Sequence, residues 1–300
     1  EKVMEYVIFD LEWDNCFYKP EKKFINQILQ IGAVKLNDSF DIIDRFTATV
    51  RSSISKKVTG RFASLTGITT EKMLAGIPLS EAICLFNEFS AGAFVTITWS
   101  DSDLYTIVEN EKLLKNSGVS FKMNYYLDLQ KLVQAKMREK GYDSKNQISL
   151  EGAAEFFGIS TDGFSLHTAL DDSTLCGKLL KICYKEETFN SLLRDTKNPE
   201  FNRRLHFKSY PITDINDKAL DKGKFCFCCP RCSGKLNRIT KWKYRNRWFS
   251  APFGCPNCND RYIGRVFAKM TFEGVTYKQK LFKVEKKEQE NELQSLSPKM

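Results

Sequence analysis

The chain has 300 residues, 46 Lys and Arg against 37 Asp and Glu, a formal net charge of +9, and 42% hydrophobic residues. These values describe an ordinary globular protein, long enough for one large domain and a small one. No apolar run reaches the length of a membrane span, and no signal-peptide pattern precedes the first strand, so an intracellular protein is expected, in the nucleus or the cytoplasm.

The stretch YVIFDLEWD, residues 6–14, is rich in β-branched and aromatic residues and predicts a strand. Alternation places Asp10 and Glu12 on one face, with Phe9, Leu11 and Trp13 on the other. Two unpaired carboxylates so close repel, and a hard divalent cation is the usual remedy. The plain alternative is a solvated edge strand. QILQIGAVKLN and DIIDRFTATVR alternate as a hairpin beside that strand. SLTGITTEKML predicts a helix capped by Thr70, and PLSEAICLFNEFS a helix capped by Ser80 with Ile83, Phe86 and Phe89 on one face. AFVTITW reads as a buried strand from whose end SDSDLYTIVENEKLLKN starts a helix. YYLDLQKLVQAKM and SLEGAAEFFGI predict two more helices, and TALDDSTLCGKLLKICYKE a last one with Leu175, Leu179 and Ile182 on one face. The order implies a mixed α/β sheet covered by helices on both sides. Residues 189–224 read as a linker with some ordered pieces, 225–283 as a small, mostly β cysteine-rich domain, and 284–300 as a disordered tail.

Charge divides in the same way. Residues 201–282 carry 18 Lys and Arg against five Asp and Glu, whereas residues 1–200 carry 24 against 28. A basic C-terminal part favours a polyanionic partner.

Asp103 stands at the strand-to-helix junction, with Asp101 just before it, and His167 precedes Asp172 by five residues at the opening of the last helix. Each alone reads as a helix cap. Together, Asp10-x-Glu12, Asp103 and the HTALDD run from His167 to Asp172 resemble the DEDDh 3′–5′ exonucleases, and QIGAVKL, LTGIT and LEGAAEFFGI add to the likeness over residues 4–187. The resemblance implies an RNase H-like mixed-sheet exonuclease domain over residues 1–188. It implies two Mg²⁺ or Mn²⁺ ions, with Asp10 bridging them and Glu12, Asp103 and Asp172 completing the ligand set. His167 would be the general base. Asp101 and Asp171 neighbour two of these ligands and are open alternatives. The implied activity is hydrolysis of DNA, with RNA as the alternative substrate, to 5′-mononucleotides. The likeness of the exonuclease-then-cysteine layout to a nuclease of the same DEDDh group also implies degradation of apoptotic DNA, with another apoptotic nuclease and a second copy of the chain as candidate partners. The competing class is a catalytically degenerate nucleic-acid-binding adaptor.

Six of the ten cysteines crowd into residues 226–258, where Cys229/Cys232 and Cys255/Cys258 form two C-P-x-C knuckles. That spacing predicts one structural Zn²⁺ held by four thiolates, with Cys226 and Cys228 as spare ligands. Cys16, Cys84, Cys176 and Cys183 read as small apolar fillers. Between the knuckles, Lys241, Lys243, Arg245 and Arg247 alternate with aromatics that include Trp242 and Tyr244. The pattern offers cations to phosphates and rings to bases. The alternative for the rings is core packing.

Overall fold

A computed structural model describes residues 4–114, 117–142 and 147–284. The expected tail lies outside the described residues from position 285 onward. The chain divides into two compact units, residues 1–206 and 207–300.

In unit 1, β1 (Tyr6–Tyr18), β2 (Lys23–Leu36) and β3 (Ile42–Thr49) form an antiparallel meander. The short strands β4 (Val95–Thr98) and β5 (Tyr125–Asp128) join β1 in parallel, and β6 (Arg194–Asp195) closes the far edge. The sheet order is β3-β2-β1-β4-β5-β6. Alternation gives β1 two buried faces. Tyr6 and Ile8 join one cluster with α5 (Leu129–Glu139), α6 (Leu150–Phe156), α7 (Ala169–Cys183) and α8 (Glu186–Leu192). Val7, Phe9 and Leu11 join the other with α3 (Leu79–Phe89) and α4 (Ser102–Glu111). Two short helices, α1 (Gly60–Thr66) and α2 (Thr70–Leu74), pack Phe62, Ile68 and Met73 around Leu29.

Several local expectations are corrected. The cap of α2 is Thr69, whose side chain accepts the Lys72 N–H, and α3 starts after Pro78 without a side-chain cap. YYLDLQKLVQAKM is a buried four-residue strand followed by a helix, because a short apolar run fits either state until sheet neighbours choose. Ile182 is exposed while Leu175 and Leu179 are buried, and Cys84 is exposed whereas Cys16, Cys176 and Cys183 are buried. The stretch read as a linker is divided between the units. Its first part adds β6 and α9 (Pro199–His206), whose Phe201 and Leu205 pack against the second cluster of unit 1.

Unit 2 is built on one sheet. The strand β10 (Trp248–Gly254) lies between β11 (Arg261–Thr271) and the short pieces β8 (Asn237–Arg238) and β9 (Lys243–Arg245). Next to β11, β12 (Gly274–Lys283) forms a long hairpin with it, and β7 (Tyr210–Pro211) pairs its far end. A two-residue turn joins β9 to β10, with Asn246 and Arg247 both left-handed at φ 51° and 68°. Two positive φ values match the right-handed twist of the flanking strands. Phe249, Ala251, Phe253, Tyr262, Val266 and Ala268 point to the core.

Candidate active site

Asp10 and Glu12 continue the Tyr6–Ile8 face of β1, which α7 covers, so the core stops where the two acids begin. Their cross-strand partners on β2 are Gly32 and Gln30, and a register shift follows Glu12. Such a bulge bends a strand and re-aims its side chains. A Cβ on Gly32 would stand 2.2 Å from the Leu170 nitrogen, so only glycine lets the start of α7 rest on β2. The Ser173 hydroxyl lies 2.9 Å from the Gly32 carbonyl, and the Ala169 N–H donates to the Gln30 side chain at 3.1 Å. One turn into α7, Asp172 faces the two acids of β1. Ligand oxygens of Asp10, Glu12 and Asp172 all lie within 4.8 Å of one another.

Asp103 reaches the cluster from the first turn of α4. It is 2% exposed and accepts the Leu11 N–H at 3.2 Å, which ties the helix start to β1. It stands outside the closest group of three, yet its charge raises the pKa of both Asp10 and Glu12. The two alternative acids are engaged elsewhere. Asp101 pairs with Lys131 at 3.4 Å and accepts the Tyr126 hydroxyl at 3.2 Å, and Asp171 accepts the Ser165 N–H at 2.9 Å. His167 is exposed and left-handed at φ 70°, an uncommon conformation for a residue with a Cβ. Its imidazole charge and its backbone N–H both pull the Asp172 pKa down.

Burial dominates the electrostatics. It raises Asp10 well above the carboxylate range, with Asp103, Glu12 and Asp172 adding to the shift in that order. Burial, then Asp172 and Asp103, push Glu12 up to about 8. Asp103 rises to about 7 and Asp172 to about 6, again chiefly by burial. A set of acidic oxygens that resists ionising on its own suits a hard divalent cation, whose charge removes the repulsion. The donor set therefore fits Mg²⁺ or Mn²⁺ in kind and spacing. Gly32, Gln30 and Ser173 escaped the sequence reading. Their one signal was a glycine inside the strand-like run QIGAVKL, which marks a close backbone approach.

In unit 2 the sulfurs of Cys229, Cys232, Cys255 and Cys258 lie within 4.8 Å of one another, with 3.5 Å between Cys232 and Cys255. Tetrahedral Zn–S bonds of about 2.3 Å imply sulfurs roughly 3.8 Å apart, so the four thiolates fit zinc. Both knuckles have the same backbone plan. The N–H groups of Ser233 and Asn259 donate to the carbonyls of Cys229 and Cys255, while those cysteines donate to Gly234 and Asp260. Ser233 and Asn259 are left-handed in turn. Cys226 and Cys228 are exposed and outside the group.

The basic run between the knuckles is split by strand parity. Trp242 packs edge-on against Phe225 and Phe253 at 5.2 and 5.6 Å, and the Tyr244 ring stands 5.1 Å from Phe249. Both rings are on the Phe249 side of the sheet, Trp242 half-buried against the core and Tyr244 36% exposed. Lys243 and Arg245 take the opposite face, Lys241 is exposed, and Arg247 occupies the turn.

Three solved structures share the fold. Cell-death related nuclease 4 matches at 19% identity and a TM-score of 0.50 over 60% of this chain and 64% of that chain. A full-length 3′-exonuclease matches at 19% identity and a TM-score of 0.51, over 66% and 93%. A 3′-exonuclease seen in 3′-end specific recognition of the histone mRNA stem-loop matches at 20% and 0.50, over 65% and 86%. These likenesses establish a mixed α/β, RNase H-like exonuclease fold, and no curated protein sequence matches the chain. Residues 7–180 match the model of an exonuclease family, and the chain belongs to that family, the RNase T exonucleases.

Proposed function

We propose that the protein is a divalent-metal-dependent 3′–5′ exonuclease that releases 5′-mononucleotides, with DNA as its first substrate. The observation that carries this reading is the convergence of Asp10, Glu12 and Asp172 within 4.8 Å, with buried Asp103 held against β1. Two Mg²⁺ or Mn²⁺ ions at these carboxylates would supply positive charge at the scissile phosphate and acidify the attacking water. Asp10, whose carboxyl is raised by the charges of Asp103, Glu12 and Asp172 as well as by burial, would hold metal together with them. His167, exposed beside Asp172, takes the proton from the attacking water. An adaptor has no need of four converging acids, so the degenerate reading loses support. The Cys₄ cluster would hold one Zn²⁺ with every position filled by protein, which assigns it to folding rather than catalysis.

RNA is the second reading, supported by the fold neighbour whose structure concerns the histone mRNA stem-loop. The exonuclease-and-cysteine layout resembles the nematode cell-death-related nuclease, and on that layout a part in DNA degradation in the nucleus belongs to the proposal; cell-death related nuclease 4 shares the fold. A 5′-labelled oligonucleotide tests the activity. Stepwise shortening in Mg²⁺ or Mn²⁺ with 5′-mononucleotide products is expected; cleavage of a circular single strand, or no metal-dependent product on DNA and RNA alike, overturns it.

A further inference from the structure

The sheet of unit 2 has one face in the core, and the other is not neutral. Register puts Lys243 and Arg245 of β9, Trp248 and Ser250 of β10, Arg265, Phe267 and Lys269 of β11, and Lys278, Lys280 and Phe282 of β12 on that second face. The core side is fixed independently, because a Cβ on Gly264 would run into the rings of Phe227 and Phe253. No position of the outer face carries Asp or Glu.

Two features go beyond a solvated charged surface. Arg265 and Lys280 are direct cross-strand partners, a like-charge pairing that destabilises a sheet. Among the described residues neither forms an ion pair, nor do Arg245 and Lys278. The cations are instead placed over rings. Lys280 lies 5.5 Å from the Trp248 ring, Arg265 is 5.1 Å from Phe282, and Arg247 is 5.9 Å from Phe267. Trp248 and Phe267 are themselves neighbours at 5.8 Å, and Phe282 is 45% exposed. Along β11, Arg265, Phe267 and Lys269 alternate cation and ring at steps of about 6.8 Å, and the cross-strand pairs set a charge beside the Trp248 and Phe282 rings.

We propose that this outer face binds single-stranded nucleic acid, with Arg265, Lys278 and Lys280 holding phosphates and Phe282 and Trp248 stacking on bases. The proposal rests on the exonuclease reading for its choice of polyanion and concerns the face opposite the one that carries Trp242 and Tyr244. A single strand is favoured over a duplex because unpaired bases alone present faces to the rings, whereas a duplex would use only the cations.

The test measures binding of fluorescein-labelled oligo-dT and oligo-U by the full-length, zinc-loaded Asp10→Asn protein, so that the probe survives. Phe282→Ala is expected to weaken single-strand binding by roughly 5- to 150-fold, the range of one lost base stack. Its affinity for a blunt duplex and for heparin should not change. Arg265→Gln/Lys278→Gln/Lys280→Gln should flatten the dependence of log K on log salt by about 2, at about 0.7 per phosphate. Unchanged affinity and slope in both variants would overturn the proposal even if the wild-type protein releases nucleotides. Equal loss on oligo-dT, duplex and heparin after Phe282→Ala would overturn base stacking. Selective loss on oligo-dT or oligo-U upholds the surface even if the wild-type protein releases no nucleotides, in which case the exonuclease reading alone fails.

Discussion

Gly32 and Leu170 approach so closely that a Cβ on Gly32 would sit 2.2 Å from the Leu170 nitrogen. This one contact sets the distance between β2 and α7, and therefore between Asp10 and Asp172. Gly32→Ala should push α7 outward, cost about 1–3 kcal/mol of stability, and lower kcat by about 10²-fold through misplacement. Thermal melting and single-turnover rates check it; a wild-type rate in the variant would show that α7 does not set the site.

Removing Mg²⁺ and Mn²⁺ while keeping zinc should make the stability of unit 1 fall as pH rises. Glu12, Asp103 and Asp172 lie at about 8, 7 and 6 in the folded chain, above the ordinary carboxylate value of about 4. A raised acid favours the fold fully below its unfolded pKa. Between about pH 4 and 8 the unfolded chain therefore releases protons that the folded one retains, and stability is lost through that window. Tm measured from acid to pH 8 should decline, and added Mg²⁺ should restore it; a flat profile would contradict the burial and mutual repulsion that raise these acids.

Asp10→Asn removes a buried acid that is raised well above the carboxylate range. The variant should keep its fold, lose metal-dependent nucleotide release, and show a shallower fall of Tm with pH. Retained turnover in Mg²⁺ by the folded variant would remove Asp10 from metal binding.

His167→Asn is the informative change at the base, because asparagine tolerates the left-handed backbone that His167 adopts at φ 70°. Metal affinity should persist while kcat drops by roughly 10²–10⁴-fold. Calorimetric titration with Mn²⁺ beside the rate separates the two effects, and an unaltered kcat would exclude the imidazole from proton transfer.

Cys255→Ser should lose zinc and unfold unit 2, whereas Cys226→Ser/Cys228→Ser should bind one zinc as before. Zinc content after gel filtration decides between them. Loss of zinc in the double variant would bring an exposed cysteine into the ligand set.

The acids on β1 and the cysteine knuckles were legible because each is a local pattern: alternation for Asp10 and Glu12, short spacing for the cysteines. What escaped depends on distant partners. Nothing near Tyr125 distinguishes a four-residue strand from a helix until β4 lies beside it. The helix α9 has only Phe201 and Leu205 to bury, too few for periodicity to announce it. Trp242 and Tyr244 alternate with Lys243 and Arg245, so the sequence shows two unlike faces without saying which is inside. Phe225, Phe249 and Phe253 decide that through packing.

The turn at Asn246 and Arg247 has a corresponding influence. Its two left-handed residues set Trp248 opposite Arg245, and with a side-chain period of two, that pairing assigns every neighbour to its face. Adding or deleting one residue there would barely alter the composition or net charge of the chain. It would nevertheless turn half-buried Trp242 away from Phe253 and bring Lys243 and Arg245 to the Phe249 side. At this hairpin, loop length rather than residue chemistry decides what kind of surface unit 2 presents, so related chains that differ by one residue in the turn should differ in what they bind.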